Sequence, residues 1–189
     1  MPLRFSPLET AEAREISGWR YPGRYAQYDV GEEAVQTLLN PANAYFGAHN
    51  AQGSLVGFCC FGPDAQVPGG SYDEEGLDVG LGLHPDLMGK AWGSAFAQAV
   101  LALGRERFAA SSFRVTIAAW NSRSLRLHEH LGFRRTGAFR RTSDGAEFVQ
   151  MAMATEPPTS SLASSVPWCA ARGFGPVTDG EAPPALEDA

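Results

Sequence analysis

The chain has 189 residues, 44% of them hydrophobic, and a formal net charge of −6. That length carries one domain with a full core. The acidic balance argues against nucleic acid as a partner, because phosphate-backbone binding needs clustered Lys and Arg. The opening residues, MPLRFSPLETAEARE, are polar, and no apolar run approaches membrane-spanning length, so no membrane partner is expected. Cys59, Cys60 and Cys169 match no zinc spacing and are odd in number, which fits a reducing cytoplasm with no metal site and no disulfide framework.

In chain order, Leu3–Leu8 alternates weakly as a first strand. A helix follows from Glu9-Thr10, with Thr10 as its cap and Ala13 and Ile16 on its buried side. Residues 17–31, SGWRYPGRYAQYDVG, form a loop broken by Pro22 and Gly23. Its Trp19, Tyr21, Tyr25 and Tyr28 are set too closely for one helix face; they either cover a core edge or wall a ligand cleft. Glu32–Leu39 is a short second helix ended by Asn40-Pro41. Ala44–His49 and Ser54–Phe61 are strands joined by a turn at Asn50–Gly53. Gly62–Gly76 is a polar loop whose Asp73, Glu74 and Glu75 make a solvated tip.

Leu77–Gly93, LDVGLGLHPDLMGKAWG, is the centre of the chain. Val79, Leu81 and Leu83 alternate with Asp78, Gly80 and Gly82 as a strand, and after a turn at His84–Asp86 the apolar spacing becomes helical, to about Phe108. A helix opening on glycines offers unpaired N–H groups and the positive end of its dipole, a site for phosphate or another anion. Phe113–Ala119 is a buried strand; Asn121 caps a helix over Ser122–Leu131 that Gly132 stops. Phe133–Thr142 and Glu147–Ala154 close as a hairpin around Ser143-Asp144-Gly145. Beyond Thr155 the composition turns rich in Pro, Ser, Ala and Gly, as a mobile tail.

This order of elements, together with LGLHPDLMGKAWGSAF and WNSRSLRLHEHLGF, resembles the GNAT superfamily of acyl-CoA-dependent N-acyltransferases over Leu3–Ala154. The resemblance implies an α+β fold over residues 1–154, with residues 155–189 outside it as the tail. Its sheet is mixed and mostly antiparallel, with splayed central strands and helices on both faces. It implies acetyl-CoA as co-substrate. Met88, Gly89, Lys90, Ala91, Trp92, Gly93 and Ser94 would lie at the pyrophosphate, Leu81, Gly82 and Leu83 along the pantetheine arm, and Asn121 close by. Met88 stands where the family has Arg or Gln, and Ala91 where it has its middle Gly, a change that a helical first turn accepts.

His128 takes the place of the family's Tyr acid, where it can protonate the leaving thiolate, orient a water or hydrogen-bond the sulfur. Asp78 is the expected general base, with Glu75 and Glu74 in reserve. Relatives that acetylate a ribosomal N-terminal alanine carry Glu where this chain has Thr116, which disfavours that substrate. Arg123 and Arg126 can meet the adenosine phosphates. The expected reaction moves an acetyl group to a primary amine, on a small molecule or a peptide N-terminus, by direct attack in a ternary complex. The acceptor lies between the aromatic loop and the closing hairpin, and nearby acids point to a cationic amine. A catalytically silent acyl-CoA-binding or sensing module is the rival reading. The oligomer, if one forms, is expected to be a homodimer.

Overall fold

The computed structural model describes residues 2–73 and 75–154; Glu74 and the expected tail lie outside the described residues. Strand β1 (Arg4–Pro7) leads into helix α1 (Thr10–Ser17), whose N-terminus is closed by the Glu12 carboxylate accepting from the Glu9 N–H at 2.9 Å rather than by Thr10. The aromatic loop is not irregular: Gly23–Tyr28 winds as a tight 3₁₀ turn, and another at Glu32–Ala34 precedes a short α2 (Val35–Leu39). Strands β2 (Tyr45–His49), β3 (Leu55–Phe61) and β4 (Leu77–Leu83) follow, then the long helix α3 (Trp92–Phe108). The chain closes with β5 (Ser112–Ala118), α4 (Ser122–His130), β6 (Arg134–Arg140) and β7 (Glu147–Ala154). Among the described residues no helix is long and apolar enough to cross a membrane.

The seven strands form one sheet in the order β1-β2-β3-β4-β5-β7-β6. Every pairing is antiparallel except β4 with β5. The expected α+β class and mixed sheet are therefore present. Side chains alternate across the sheet. Phe96 and Val100 of α3 and Leu125 of α4 pack on one face with Val79, Phe113, Val115, Val149 and Met151. Ala13 and Ile16 of α1, with Val35 and Leu38 of α2, pack on the other with Trp19, Tyr45 and Phe58.

The parallel contact is short. Only Leu77 with Phe113 and Asp78 with Arg114 are paired across β4 and β5; beyond them the strands part. At the last pair the side chains also join: the Arg114 guanidinium donates to both Asp78 oxygens, at 2.6 and 2.8 Å, and Gln66 donates to the same carboxylate at 2.7 Å. Asp78 is 4% exposed and Arg114 7%. A buried carboxylate is tolerated when a bidentate cation and a further donor satisfy it, and removing one partner exposes the full cost of burial. Arg114→Met should therefore lower unfolding free energy by about 3–5 kcal/mol, measured by urea denaturation. A loss within experimental error would show that the pair does not hold the two strands together.

Candidate functional site

A cleft of about 310 Å³ opens where β4 and β5 part, a volume suited to a small-molecule ligand. Its inner wall is the backbone of β4. The Gly62 N–H donates to the Asp78 carbonyl and the His84 N–H to the Val56 carbonyl, both at 2.9 Å. In an antiparallel ladder that phase turns the peptide groups of residues 78, 80, 82 and 84 toward β3 and those of Val79, Leu81 and Leu83 toward the gap. Leu81, Gly82 and Leu83 line the cleft, and Leu81 and Leu83 turn their polar backbone groups toward the gap.

The second wall is the start of α3. The chain reaches it through a 3₁₀ turn at Pro85–Leu87, then two left-handed residues, Gly89 (φ +83) and Ala91 (φ +60), before helix begins at Trp92. The Met88 N–H is spent on the Pro85 carbonyl and the Lys90 N–H on that of Leu87, so those two amides do not join the cradle. The first N–H groups of the helix, on Trp92, Gly93 and Ser94, have no intrahelical acceptor and no side-chain cap. Met88, Gly89 and Gly93 line the cleft. Lys90, Ala91 and Trp92 instead border a shallow hollow beside Leu3, and the Ser94 side chain faces solvent.

Ala91 corrects an expectation. It is not in a helical first turn but in the left-handed region, where a Cβ costs about 1–2 kcal/mol. A glycine there removes that strain but frees the unfolded chain by about 0.4–1 kcal/mol. Thermal unfolding should therefore rank Ala91→Gly at or slightly above the parent protein and Ala91→Val clearly below it. Equal stability of the valine variant would mean that the left-handed bend is not kept in solution.

The third wall is α4. The Asn121 side-chain oxygen accepts from the Ser124 N–H at 3.1 Å as an N-cap, while its amide donates to the Tyr28 hydroxyl at 3.2 Å. Asn121 thus caps α4 as expected, ties its start to the aromatic loop and lines the cleft. The Arg123 guanidinium stands over Gly89, 3.7 Å from where a side chain on that glycine would begin, and makes no ion pair among the described residues. His128 is 3% exposed, its ring edge-on to Phe133 with centroids 5.2 Å apart. Its Nδ1 lies 2.9 Å from the Ser124 carbonyl; a carbonyl only accepts, so Nδ1 carries the proton and Nε2 the lone pair. Burial holds the imidazole below its ordinary value, partly offset by that hydrogen bond. His130 lies on the exposed side of the helix.

The aromatic loop roofs the cleft. Tyr21, Tyr25 and Tyr28 line it, as the cleft reading of that loop requires. The Tyr21 hydroxyl donates to the Leu83 carbonyl at 2.9 Å, and burial and Asp29 push its pKa up. Tyr25 and Tyr28 pack on Trp120, whose ring also carries the Arg24 guanidinium 4.3 Å from its centroid. Trp19 does not belong to this roof: it is 6% exposed, buried between Phe58 and His84 under α1.

Asp78 is the second correction. Its carboxylate faces Arg114 and Gln66, outside the cleft, and is committed to them. Asp73 and Glu75 are exposed. Cys59 and Cys60 are buried in β3 outside the cleft, and burial pushes the Cys60 thiol up to about 12. Among the described residues no group of His, Cys, Asp or Glu is arranged to hold a metal ion. Phe58 and Thr116 line the cleft without having been singled out as ligand-binding residues, and Trp120 packs on Tyr25 and Tyr28. Only Trp120, directly before the capping Asn121, carries a local signal.

Parted parallel strands beside an uncapped helix start are accompanied by a family match: the acetyltransferase (GNAT) family model covers residues 10–133. The chain belongs to that family and is a transferase of its type. Among solved structures it is similar to a GNAT-family acetyltransferase from Bacillus anthracis at 20% identity, covering 82% of this chain and 95% of that one, with a TM-score of 0.63. It is also similar to a chimera of spermidine N-acetyltransferase SpeG from Vibrio cholerae with hSSAT, at 16% identity, 82% and 96% coverage and a TM-score of 0.60. Mutant forms of the Vibrio cholerae spermidine/spermine N-acetyltransferase SpeG align at 18% identity, 81% and 95% coverage and a TM-score of 0.60. At these identities the likeness is one of fold. No curated protein matches the chain in sequence.

Proposed function

We propose that the protein transfers an acetyl group from acetyl-CoA to a primary amine by direct attack within a ternary complex. The observation that carries this reading is the gap beyond Asp78 and Arg114, where outward-turned β4 peptides and the unpaired N–H groups of α3 meet. A pyrophosphate seated on Trp92–Ser94 gains charge-assisted bonds of roughly 1.5–3 kcal/mol each, and Arg123 supplies a cation with no ion-pair partner to give up among the described residues. The amide-bearing arm of the carrier then has Leu81 and Leu83 to pair with, once Tyr21 yields the Leu83 carbonyl.

Attack by the amine forms the C–N bond as the C–S bond breaks; the amine must lose a proton and the thiolate must gain one. With Asp78 engaged elsewhere, His128 is the imidazole among the described residues that line the cleft, beside three tyrosines and Arg123. Its neutral ring and bare Nε2 suit it to take the amine's proton and pass it to the sulfur, rather than to start as the acid. The silent-module reading draws on Met88 and on the strained Ala91.

Thiol release from acetyl-CoA with a panel of primary amines separates the two, and CoA stabilisation without turnover would leave the module. Gly89→Asp, placing a carboxylate beside Arg123 at a left-handed position, should weaken CoA binding by calorimetry; unchanged affinity would remove the cradle. Because burial lowers His128 from its ordinary ~6.5, it stays neutral above that pH. The kcat should therefore be flat above about pH 6.5 and fall only on the acid side. His128→Phe should lose about 10²-fold or more in kcat and with it the acid limb. A rate that instead falls as pH rises through 6.5 would make His128 an acid.

A further inference from the structure

We propose that the acceptor is a primary amine borne on an apolar, aromatic body, and that a second cationic centre is selected against. This rests on the acetyl-transfer reading and names the substrate class of the same site. On the side of the sheet away from α3, the cleft is walled by Phe58 of β3, Ala65 of the loop after it, Thr116 of β5 and the tyrosines of the roof. No described residue lining the cleft is an aspartate or glutamate. Three carboxylates on the neighbouring elements are engaged within the fold. Asp78 is held by Arg114 and Gln66, Asp64 accepts from the Tyr45 hydroxyl, and Asp29 accepts from the Tyr21 N–H.

Arg123 is the charged side chain among the described residues that line the cleft, and it stands over Gly89; outside that lining, Arg24 lies across Trp120, on which Tyr25 and Tyr28 pack, and occupies one face of its ring. A monoamine can enter as the free base or shed its proton to the imidazole. The remaining ammonium of a diamine or polyamine would be desolvated among apolar and aromatic groups with no counter-charge, which is costly. Tyrosine faces and Phe58 favour an aromatic or branched apolar body instead. The cationic acceptor expected from acidic residues in the sequence is therefore replaced. Among the described residues, those acids are tied up in the fold or exposed on loops and do not line the cleft.

The full-length protein saturated with CoA is titrated calorimetrically with phenethylamine, 1,4-diaminobutane and spermidine, and initial rates with acetyl-CoA are measured for the same three. Phenethylamine should bind, and turn over by kcat/KM, at least about tenfold better than either polyamine. Spermidine binding as tightly or more tightly, or no binding of phenethylamine, would overturn the inference. Binding to the CoA complex needs no turnover, so selective phenethylamine binding without thiol release would sink acetyl transfer yet leave the amine class standing. Thr116→Glu, which adds a carboxylate to this wall, should move the ratio toward the diamine by about tenfold. Should that variant not fold, Ala65→Asp in the loop tests the same point. A folded carboxylate variant with an unchanged ratio would count against the inference.

Discussion

The structure depends on two adjacent strands that are joined at one end and kept apart at the other. β4 and β5 are the one parallel pair in the sheet, and their pairing stops after two residues. At that point a buried arginine and aspartate clasp each other across the strands. Parallel neighbours left unpaired would expose backbone donors and acceptors inside the protein, a state that proteins avoid unless something else satisfies them. Here β4 keeps its ladder with β3, β5 keeps its ladder with β7, and the edges they turn toward each other beyond the clasp are left for a ligand.

The cleft's chemistry follows from what is placed around that gap. The first turn of α3 contributes amides without acceptors, and the bend leading into it is tight enough to force Gly89 and Ala91 into left-handed backbone. That the second of these is alanine stores strain at the entrance to α3. On α4, one carbonyl decides the imidazole's tautomer: the Ser124 carbonyl accepts a hydrogen bond from Nδ1–H, and burial disfavours adding a second proton. The roof adds a self-contact, Tyr21 on Leu83, that a ligand has to displace.

Much of this was legible in the residues. The strand Leu77–Leu83, the capping Asn121 and the Ser143–Gly145 turn are local: period-two alternation, a side chain one turn from the amide it caps, a glycine at positive φ. The order of elements and two motifs were enough to recognise the family, and Gly93 of the α3 start, His128 and the three tyrosines line one cleft. What failed was any inference that needed a partner distant in sequence. Asp78 read as a base because the strand around it is apolar; Arg114, 36 residues on, makes it structural. Trp19 belonged to the same aromatic run as the tyrosines, yet Phe58 and His84 enclose it.

By itself the sequence determined the class of fold, the strand-turn-helix at its centre and the side chains available to a site there, because periodicity, capping and turn chemistry act over a few residues. Tertiary structure alone decided which acids are neutralised, which nitrogen of His128 holds its proton and what the cleft offers a ligand. Each of these depends on burial and on neighbours tens of residues away, and a charge or a proton responds to its surroundings in space, not to its place in the chain.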